Sequence, residues 1–322
     1  MWTFVLRRLL YAIPVYLGII FIVMAALRIN DPVAAYLGKN ATAETVELKR
    51  KSMGLDRPFL VQYADFLRRI ATLDFGSADR PYRSWQYESD DVGKKLAGAI
   101  GPTVAVTVPT LVLTSIVAIT VGMISAYCRG RWPDRLLMFF VVLGMSISVV
   151  VFIVVGQSLF RGWINALAGS EVLASNGYEP GLGNWVTYCA LPVLIGVLVG
   201  MGYDARFYRA VFVEETGRDY VTTARAKGAG RARIMFVHML KNAMIPVITR
   251  IMITVPFLVT GSIVMEYQFR IPGMGKLLID ALSNKDFPII QAFTAVFALL
   301  FIVTNILTDV LYALVDPRVR LA

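Results

Sequence analysis

The feature that most constrains this chain is a series of six apolar runs, each about as long as a bilayer is thick. A helix needs ~20 mostly apolar residues to cross the hydrocarbon core. The runs cover residues 9–27, 103–127, 136–160, 186–203, 245–265 and 288–313. Of the 322 residues, 57% are hydrophobic and 17% are charged, whereas soluble domains are roughly 45–50% apolar and about 25% charged. The sequence therefore predicts an all-α integral membrane protein with six transmembrane helices.

Two of these runs have features that a simple span lacks. The first follows Arg7 and Arg8, as a secretory signal would, but it exceeds the ~7–15 apolar residues of such a signal, which favours a retained span. The fifth contains Pro246 and Pro256. Because bilayer helices tolerate proline when neighbours satisfy the freed carbonyls, we expect kinks there rather than ends.

The distribution of basic residues predicts the orientation, because short cytoplasmic loops are enriched in lysine and arginine. With the N-terminus inside, the inner segments hold 15 basic residues and the short outer segments hold 4. The outer four are Arg161, Arg270, Lys276 and Lys285. The prediction is therefore that both termini and residues 204–244 are cytoplasmic. The net charge of +10 then reflects this bias and contact with anionic lipid rather than nucleic-acid binding.

This topology divides the chain into three parts. They are a tail with the first span (1–29), an external helical loop (30–101) and a five-helix transmembrane core (102–322) that contains the cytoplasmic loop 204–244. Within the external loop, Thr42 can cap a helix over 43–52 that Gly54 ends. A second helix begins at Pro58, and its apolar stripe must rest on the bilayer surface or on the outer ends of the spans. The stripe consists of Phe59, Tyr63, Phe66, Leu67 and Ile70.

The segment 219–242 is polar and basic, although it lies between two of the apolar runs. Its sequence is DYVTTARAKGAGRARIMFVHMLKN. Asp219 can cap a two-turn helix over 220–227, and Gly228 can close that helix in the left-handed conformation. A short helix with defined ends, next to an amphipathic run, is suited to presenting a rigid projection to a soluble partner.

This segment resembles the EAA loop of permeases of ATP-binding-cassette importers, in the oligopeptide, dipeptide and nickel branch. The matching positions are Asp219, Tyr220, Val221, Thr223, Ala224, Arg225, Ala226, Lys227, Gly228, His238, Leu240, Asn242, Ala243, Ile245, Pro246 and Val247. A second likeness covers the first span, and a third covers the loop sequence LGKNATAETVELKRKSMGLDRPFLVQYADFL. Residues 79–91 and 99–103 depart from the family pattern, so substrate preference can differ there.

A fourth block of resemblance covers the C-terminal part of the chain, so the likeness extends in order over nearly its whole length. The matching residues are Gly261, Glu266, Phe269, Pro272, Gly273, Gly275, Leu277, Leu278, Asp286, Pro288, Asn305, Leu307, Asp309, Tyr312, Asp316, Pro317, Arg318 and Arg320. The resemblance implies the architecture of type I importer permeases, with the N- and C-termini inside.

The resemblance also implies partners and a function. Relatives pair with a second, related permease chain, two ATPase subunits and an external substrate-binding protein. ATP and Mg would be bound by the ATPase chains, with no cofactor on this chain. We expect import of short peptides, with nickel, an oligosaccharide or a glutathione-like compound as alternatives. The substrate path stays unassigned, although Ser146, Ser148, Gln157 and Asn305 are polar groups inside the runs.

Within this interpretation, residues 219–228 couple the permease to the ATPases. We expect Tyr220 and Ala224 to pack into a groove of the ATPase, Arg225 and Lys227 to meet carboxylates, and Gly228 to supply the turn. The alternative is that the segment lies on anionic lipid as an interfacial amphipathic helix. The remaining residues of interest, His238, Asn242 and Pro246, are expected to brace the loop against the membrane helices.

Other classes of protein fit less well. The sequence has no G-x-x-x-x-G-K-[ST] phosphate loop, so we expect this subunit not to bind ATP. An ion-coupled secondary transporter remains the alternative of another class, but it usually needs ionisable groups within the membrane, and the first four runs contain none. The same scarcity argues against a membrane-embedded enzyme. Cys128 and Cys189 are expected to be unpaired, and six glycines within the runs to serve helix packing. These are Gly122, Gly144, Gly156, Gly196, Gly200 and Gly202.

Overall fold

The computed structural model describes residues 2–29, 33, 42–52, 55–76, 91–256 and 263–315. In chain order its helices are α1 (Trp2–Ile29), α2 (Ala43–Ser52), α3 (Phe59–Thr72), α4 (Val92–Tyr127), α5 (Trp132–Ser146), α6 (Val149–Ala168), α7 (Leu182–Thr216), α8 (Asp219–Ala226), α9 (Arg231–Asn242), α10 (Met244–Thr254), α11 (Ile263–Phe269), α12 (Met274–Asn284) and α13 (Phe287–Val315). The predicted stop at Gly54, the divergent segment 79–90, Gly261 and the terminal residues 316–320 lie outside the described residues.

Five described helices are long and apolar enough to cross a bilayer. They are 7–29, 92–127, 149–168, 182–216 and 287–312. The pair α9 and α10, which meet at a bend of 68°, provides a sixth span when they are counted together. Many large apolar side chains of these helices are exposed, such as Ile22 at 66% and Leu159 at 68%, which suits a surface that faces lipid. The predicted class, an all-helical membrane protein, is confirmed.

The third predicted span, 136–160, is wrong as a single helix. α5 ends at Ser146, and Ile147 adopts an extended conformation with φ −94° and ψ 131°. Ser148 then caps α6, accepting a hydrogen bond from the amide of Val150. Serine side chains compete for backbone groups in this way, so a polar pair that was expected to lie inside a span instead separates two helices.

The fifth predicted span also differs from expectation. Pro246 occupies the first turn of α10, where a missing amide costs little. The bend lies just before it, at Ala243, which is 1% exposed and separates α9 from α10. Pro246 therefore starts a helix rather than kinking one. The described part of α10 ends at Thr254, and residues 257–262 of the predicted span are outside the described range.

The chain divides into two compact units. The first comprises Met1–Thr103 with Pro272–Ile306, and the second comprises Val104–Ile271 with Leu307–Ala322. The predicted three-part division of the chain follows membrane topology and stays a prediction.

In the first unit, the apolar stripe of α3 packs on α1. Tyr63 donates a hydrogen bond to the Leu17 carbonyl at 2.8 Å, and Phe21 makes edge-on contacts with the rings of Phe59 and Tyr63. Behind the stripe, Ile20 is buried at 2% exposure. The predicted support is thus the first span. In α2, the expected ion pair of Glu47 and Lys51 forms at 3.2 Å on an exposed surface.

In the second unit, α4, α5 and α7 approach one another closely at glycines. A Cβ atom on Gly202 would lie 2.5 Å from Met145 Cγ, and one on Gly122 would lie 2.9 Å from Tyr208 Cβ. Because real Cβ atoms do not approach so closely, only glycine fits these positions. The predicted packing role of these glycines is confirmed. The core between the helices continues to α8 and α9, so the short polar segment is part of the same folded unit.

Candidate functional site

The coupling segment, residues 219–228, begins with α8. The residue before the helix, Arg218, is extended, and no side chain caps the first amides. Asp219 therefore occupies the first helical turn instead of the predicted cap position, where its carboxylate still favours the positive end of the helix. Its carbonyl accepts a hydrogen bond from Thr223 Oγ1 at 3.0 Å.

The coupling segment ends as a glycine-closed helix. The helix itself stops at Ala226, one residue before the predicted end, because Lys227 has ψ 8°. Gly228 has φ +77°, a conformation that is cheap only for glycine. The amide of Ala229 then donates to the carbonyl of Ala224 at 3.0 Å, which satisfies the free end of the helix. The predicted role of Gly228 as the closing residue is confirmed.

One face of α8 is buried within the chain itself. Val221 is 1% exposed and Ala224 is 7% exposed, and both pack in a core with Ile234, Met235 and Met239 of α9. The expectation that Ala224 enters a groove of the ATPase stays a prediction, and within the described chain Ala224 offers little exposed surface for such a contact. Its small side chain serves the close approach of α8 to the protein's own α9.

Tyr220 is also directed inward. Its side chain is half-buried and its hydroxyl donates a hydrogen bond to the carboxylate of Glu215 at the end of α7. Burial, together with this neighbouring carboxylate, raises the pKa of Tyr220 above its usual value. The phenol thus joins α8 to α7, and it is not presented as a free side chain for the predicted groove of the ATPase.

The opposite face of α8 is exposed and mostly polar. Its exposed residues are Asp219, Thr222, Thr223, Arg225, Ala226, Lys227 and Gly228. Next to this face, Arg218 and Glu214 form an exposed ion pair at 2.6 Å. The predicted contact residues Arg225 and Lys227 therefore remain available, with a rigid helix beneath them.

The predicted brace at His238 and Asn242 stays within the loop, where the side chain of Asn242 also lies beside the Tyr220 hydroxyl of α8. Asn242 Nδ2 donates to the His238 carbonyl at 2.8 Å, one turn back on the same helix. The connection to the membrane helices is made by apolar neighbours, since Met239 and Ala243 are fully buried in the core that also holds Tyr208 and Phe212 of α7. α9 includes a wide π-helical stretch at Ile234–Met239, which no sequence pattern indicated.

Sequence reasoning missed two ion pairs in the second unit. Arg209 of α7 pairs with Asp134 of α5 at 2.9 Å, and Arg250 of α10 pairs with Asp204 of α7 at 2.7 Å. The fourth apolar run ended at residue 203, whereas α7 continues to Thr216, so Asp204 and Arg209 lie within a helix that is long enough to span a membrane. One sequence signal was available, because Gly196, Gly200 and Asp204 are spaced four residues apart and so share one face of a helix.

The fold and this segment define a multi-pass helical membrane protein with a short, rigidly held polar helix between two spans. Residues 118–321 match the family model described as "Binding-protein-dependent transport system inner membrane component". Residues 1–97 match the model for the N-terminal part of such membrane components. The chain belongs to the family of inner-membrane permease components of binding-protein-dependent transport systems.

Curated relatives match over almost the full length. The chain is 33% identical to "Glutathione transport system permease protein GsiC" of Salmonella typhimurium (strain LT2) over 325 residues, which cover 99% of each chain. It is 34% identical to the proteins of the same name in Escherichia coli (strain K12) and Shigella flexneri serotype 5b, again over 99% of each chain. The chain is thus a multi-pass bacterial inner-membrane transport subunit of the ATP-binding-cassette importers, not an enzyme.

Proposed function

We propose that this chain forms half of the translocation path of an ATP-driven importer of short peptides, a class that includes glutathione, itself a tripeptide. The family match supports the importer, and the relatives named as glutathione permeases support the substrate class. A second related permease, two ATPase subunits and an external binding protein complete the proposed assembly. ATP and Mg are bound on the ATPases, and both termini and residues 204–244 face the cytoplasm.

The observation that carries this proposal is the two-sided construction of α8. Its inner face is buried against α9, while Arg225, Ala226 and Lys227 project outward. A helix that is packed on the rest of the chain on one side and polar on the other can bind a partner and move together with the spans, without shifting relative to them. We infer that the ATPase binds this outer face, and that closure of two ATPases on nucleotide moves α8 and the attached spans together.

The test is affinity purification of the chain from its native membrane, with identification of co-purifying subunits and measurement of ATPase activity. Gly228→Asp is the informative variant, because it forces a side chain into φ +77° and adds a negative charge beside Lys227. Gly230→Asp is the matched control, since Gly230 has an ordinary φ of −67° and open space around it.

The proposal predicts that ATPase subunits co-purify with the wild-type chain and with Gly230→Asp. With Gly228→Asp, their association or the stimulation of ATPase activity by substrate-loaded binding protein is lost. A chain that purifies without ATPases and moves a solute under an ion gradient would establish the secondary-transporter alternative instead.

A further inference from the structure

The second unit contains a cavity of about 300 Å³ between α4, α7 and α10. This volume is at the lower end of the range for small-ligand sites, ~300–1,000 Å³. Its walls are mostly apolar, but Thr107, Thr110 and Thr114 of α4, Asp204 of α7 and Thr254 of α10 also line it. Polar groups inside membrane spans are costly and commonly functional, and the three threonines of α4 lie within the second apolar run, so this cavity is a candidate for contact with a polar solute.

Two facing rows of residues shape the cavity. On α7, Gly196, Gly200 and Asp204 recur every four residues and so share one helical face. A Cβ on Gly196 would lie 2.7 Å from Thr110 Cγ2, and one on Gly200 would lie 3.1 Å from Thr114 Cγ2. The backbone of α7 therefore lies against the side chains of α4 at the two glycines. At Asp204, one turn further along the same face, α7 has a side chain again.

The hydroxyl groups add a few hydrogen-bond acceptors to this mostly apolar lining. Thr110 Oγ1 donates to the Val106 carbonyl at 2.7 Å, and Thr254 Oγ1 donates to the Ile251 carbonyl at 2.7 Å. Their protons are committed, while their oxygens can still accept. The hydroxyl of Thr114, a residue that is only 6% exposed, has no partner within the described chain. Of the described residues that line the cavity, only Asp204 carries a charge.

Within the part of the chain that the structure describes, Asp204 is held by one hydrogen-bonded ion pair. Arg250 Nε donates to Asp204 Oδ1 at 2.7 Å, and among the described residues the other carboxylate oxygen accepts no hydrogen bond. The Asp204 side chain is 16% exposed, so this oxygen belongs to a carboxylate that is buried but still reachable. By contrast, both oxygens of Asp134 are bound by Arg209. One ion pair of this unit is complete, and the other has room for a further donor.

We propose that this cavity is a transit site for the ammonium end of a short peptide on its way through the permease. An ammonium group carries three donors and no acceptor, which complements a lining of hydroxyl oxygens around one carboxylate. Asp204 accepts the ammonium through its free oxygen. Arg250 is a positioning residue, since its hydrogen bond to Oδ1 holds the carboxylate at the cavity wall. The assignment rests on the proposed function, which supplies a peptide as the solute.

The experiment measures ATP-dependent uptake into proteoliposomes by the complete complex with its binding protein. The probes are glutathione and N-acetylglutathione, which lacks the ammonium group. Asp204→Asn is compared with wild type and with Glu171→Gln, a carboxylate variant at an exposed position of the same unit. Because every complex uses the same binding protein, its own selectivity cancels, and a change in the uptake ratio of the two probes reports on the permease.

We expect Asp204→Asn to lower the ratio of glutathione to N-acetylglutathione uptake by about tenfold, the effect of one lost hydrogen bond to a charged group. Glu171→Gln should leave the ratio unchanged. A ratio that stays at the wild-type value, or a fall in the uptake of both probes by the same factor, overturns the transit site, since a purely structural role affects both probes alike.

Asp204→Asn leaves Arg250 without its partner and can prevent assembly. In that case the double variant Asp204→Asn with Arg250→Gln, which removes both charges, is measured with the same expectation for the ratio. A wild-type complex that takes up neither probe when ATP is present refutes the proposed peptide function, and the ligand assigned to the cavity with it. A wild-type complex that takes up glutathione, together with an unchanged ratio in the variants, refutes the transit site alone.

Discussion

Arg209 binds both carboxylate oxygens of Asp134, through Nε and Nη2, each at 2.9 Å. The amide of Gly130 also donates to this carboxylate at 2.9 Å, and Ser125 Oγ donates to it as well. Asp134 is 4% exposed. This contact joins α5 to α7 at the turn that follows α4, so three helices of the second unit depend on a single buried carboxylate.

Replacing Arg209 with alanine should destabilise the protein by about 3–5 kcal/mol, because a buried carboxylate loses its countercharge. Arg206→Ala, at an exposed position of the same helix, is the control and should have little effect. The measurement is thermal unfolding of the detergent-solubilised protein. Equal melting temperatures for the two variants would show that the pair contributes nothing to stability.

The same contact predicts a specific pH dependence. The hydrogen bond from Arg209, assisted by Ser125 and Gly130 and opposed by burial, holds the pKa of Asp134 well below its usual range. A depressed folded pKa contributes stability that is complete above the unfolded value, near 3.9, and is lost as the pH falls through the folded value. The stability difference between wild type and Asp134→Asn should thus be constant from about pH 5 to pH 8 and shrink only in stronger acid. A difference that changes between pH 5 and pH 8 would contradict the assignment.

The two alanines of α8 should separate its inner and outer faces. Ala224→Leu forces three extra carbons into a packed core, which costs about 1–3 kcal/mol. Ala226→Leu adds the same atoms to the exposed side and should leave stability unchanged while weakening association with the ATPase. Thermal unfolding and co-purification are measured for both variants. If Ala226→Leu is the less stable of the two, the orientation of α8 is wrong.

Charge on the outer face of α8 should govern the proposed association. Reversing Arg225 and Lys227 to glutamate should reduce co-purification of the ATPase and the salt sensitivity of the remaining complex, because exposed charges act within a Debye length of ~8 Å at physiological ionic strength. Reversing Arg129 and Arg131 to glutamate changes two exposed charges outside the coupling segment and serves as the control. Equal losses in both variants would indicate a general effect of net charge.

Glycine packing gives a test that is independent of function. Gly122→Ala places a Cβ 2.9 Å from both Tyr208 Cβ and the Arg209 amide nitrogen, and overpacking of this kind costs about 1–3 kcal/mol. Gly98 lies on the same helix with no neighbour within 4 Å of an added Cβ. Gly98→Ala should be neutral or slightly stabilising, since alanine favours helix by up to ~1 kcal/mol. Thermal unfolding of the two variants decides the point.

Sequence patterns predicted the elements whose determinants are local. Apolar run length gave the membrane class, the stripe of α3 gave its buried face, and Gly228 gave the end of the coupling helix, because each depends on residues within a few turns. The break at Ile147 was missed since an apolar run conceals the capping by Ser148. Serines such as Ser146 and Ser148 occur both inside helices and at helix ends, and composition does not distinguish these two cases.

The inward orientation of Ala224 could not be predicted in the same way. Val221 and Ala224 define one face of α8, but which object covers that face depends on where α9 returns, a tertiary contact that the segment does not encode by itself. The ion pairs were missed for a similar reason. Asp204 and Arg250 are 46 residues apart, and only the packing of α7 against α10 brings them together.

The 68° bend at Ala243 makes α9 and α10 the two arms of a bent lever, so a rotation of one arm moves the end of the other. At 1.5 Å per residue the arms are about 18 Å and 16 Å long. One arm begins beside α8, and the other carries Arg250 and ends at Thr254 on the cavity wall. A ~5° rotation about the bend would move Thr254 by about 1.4 Å, which is more than the ~0.5 Å range of hydrogen-bond distances. Movement of α8 would therefore reach Arg250 and, through its hydrogen bond, the carboxylate of Asp204 in the cavity wall.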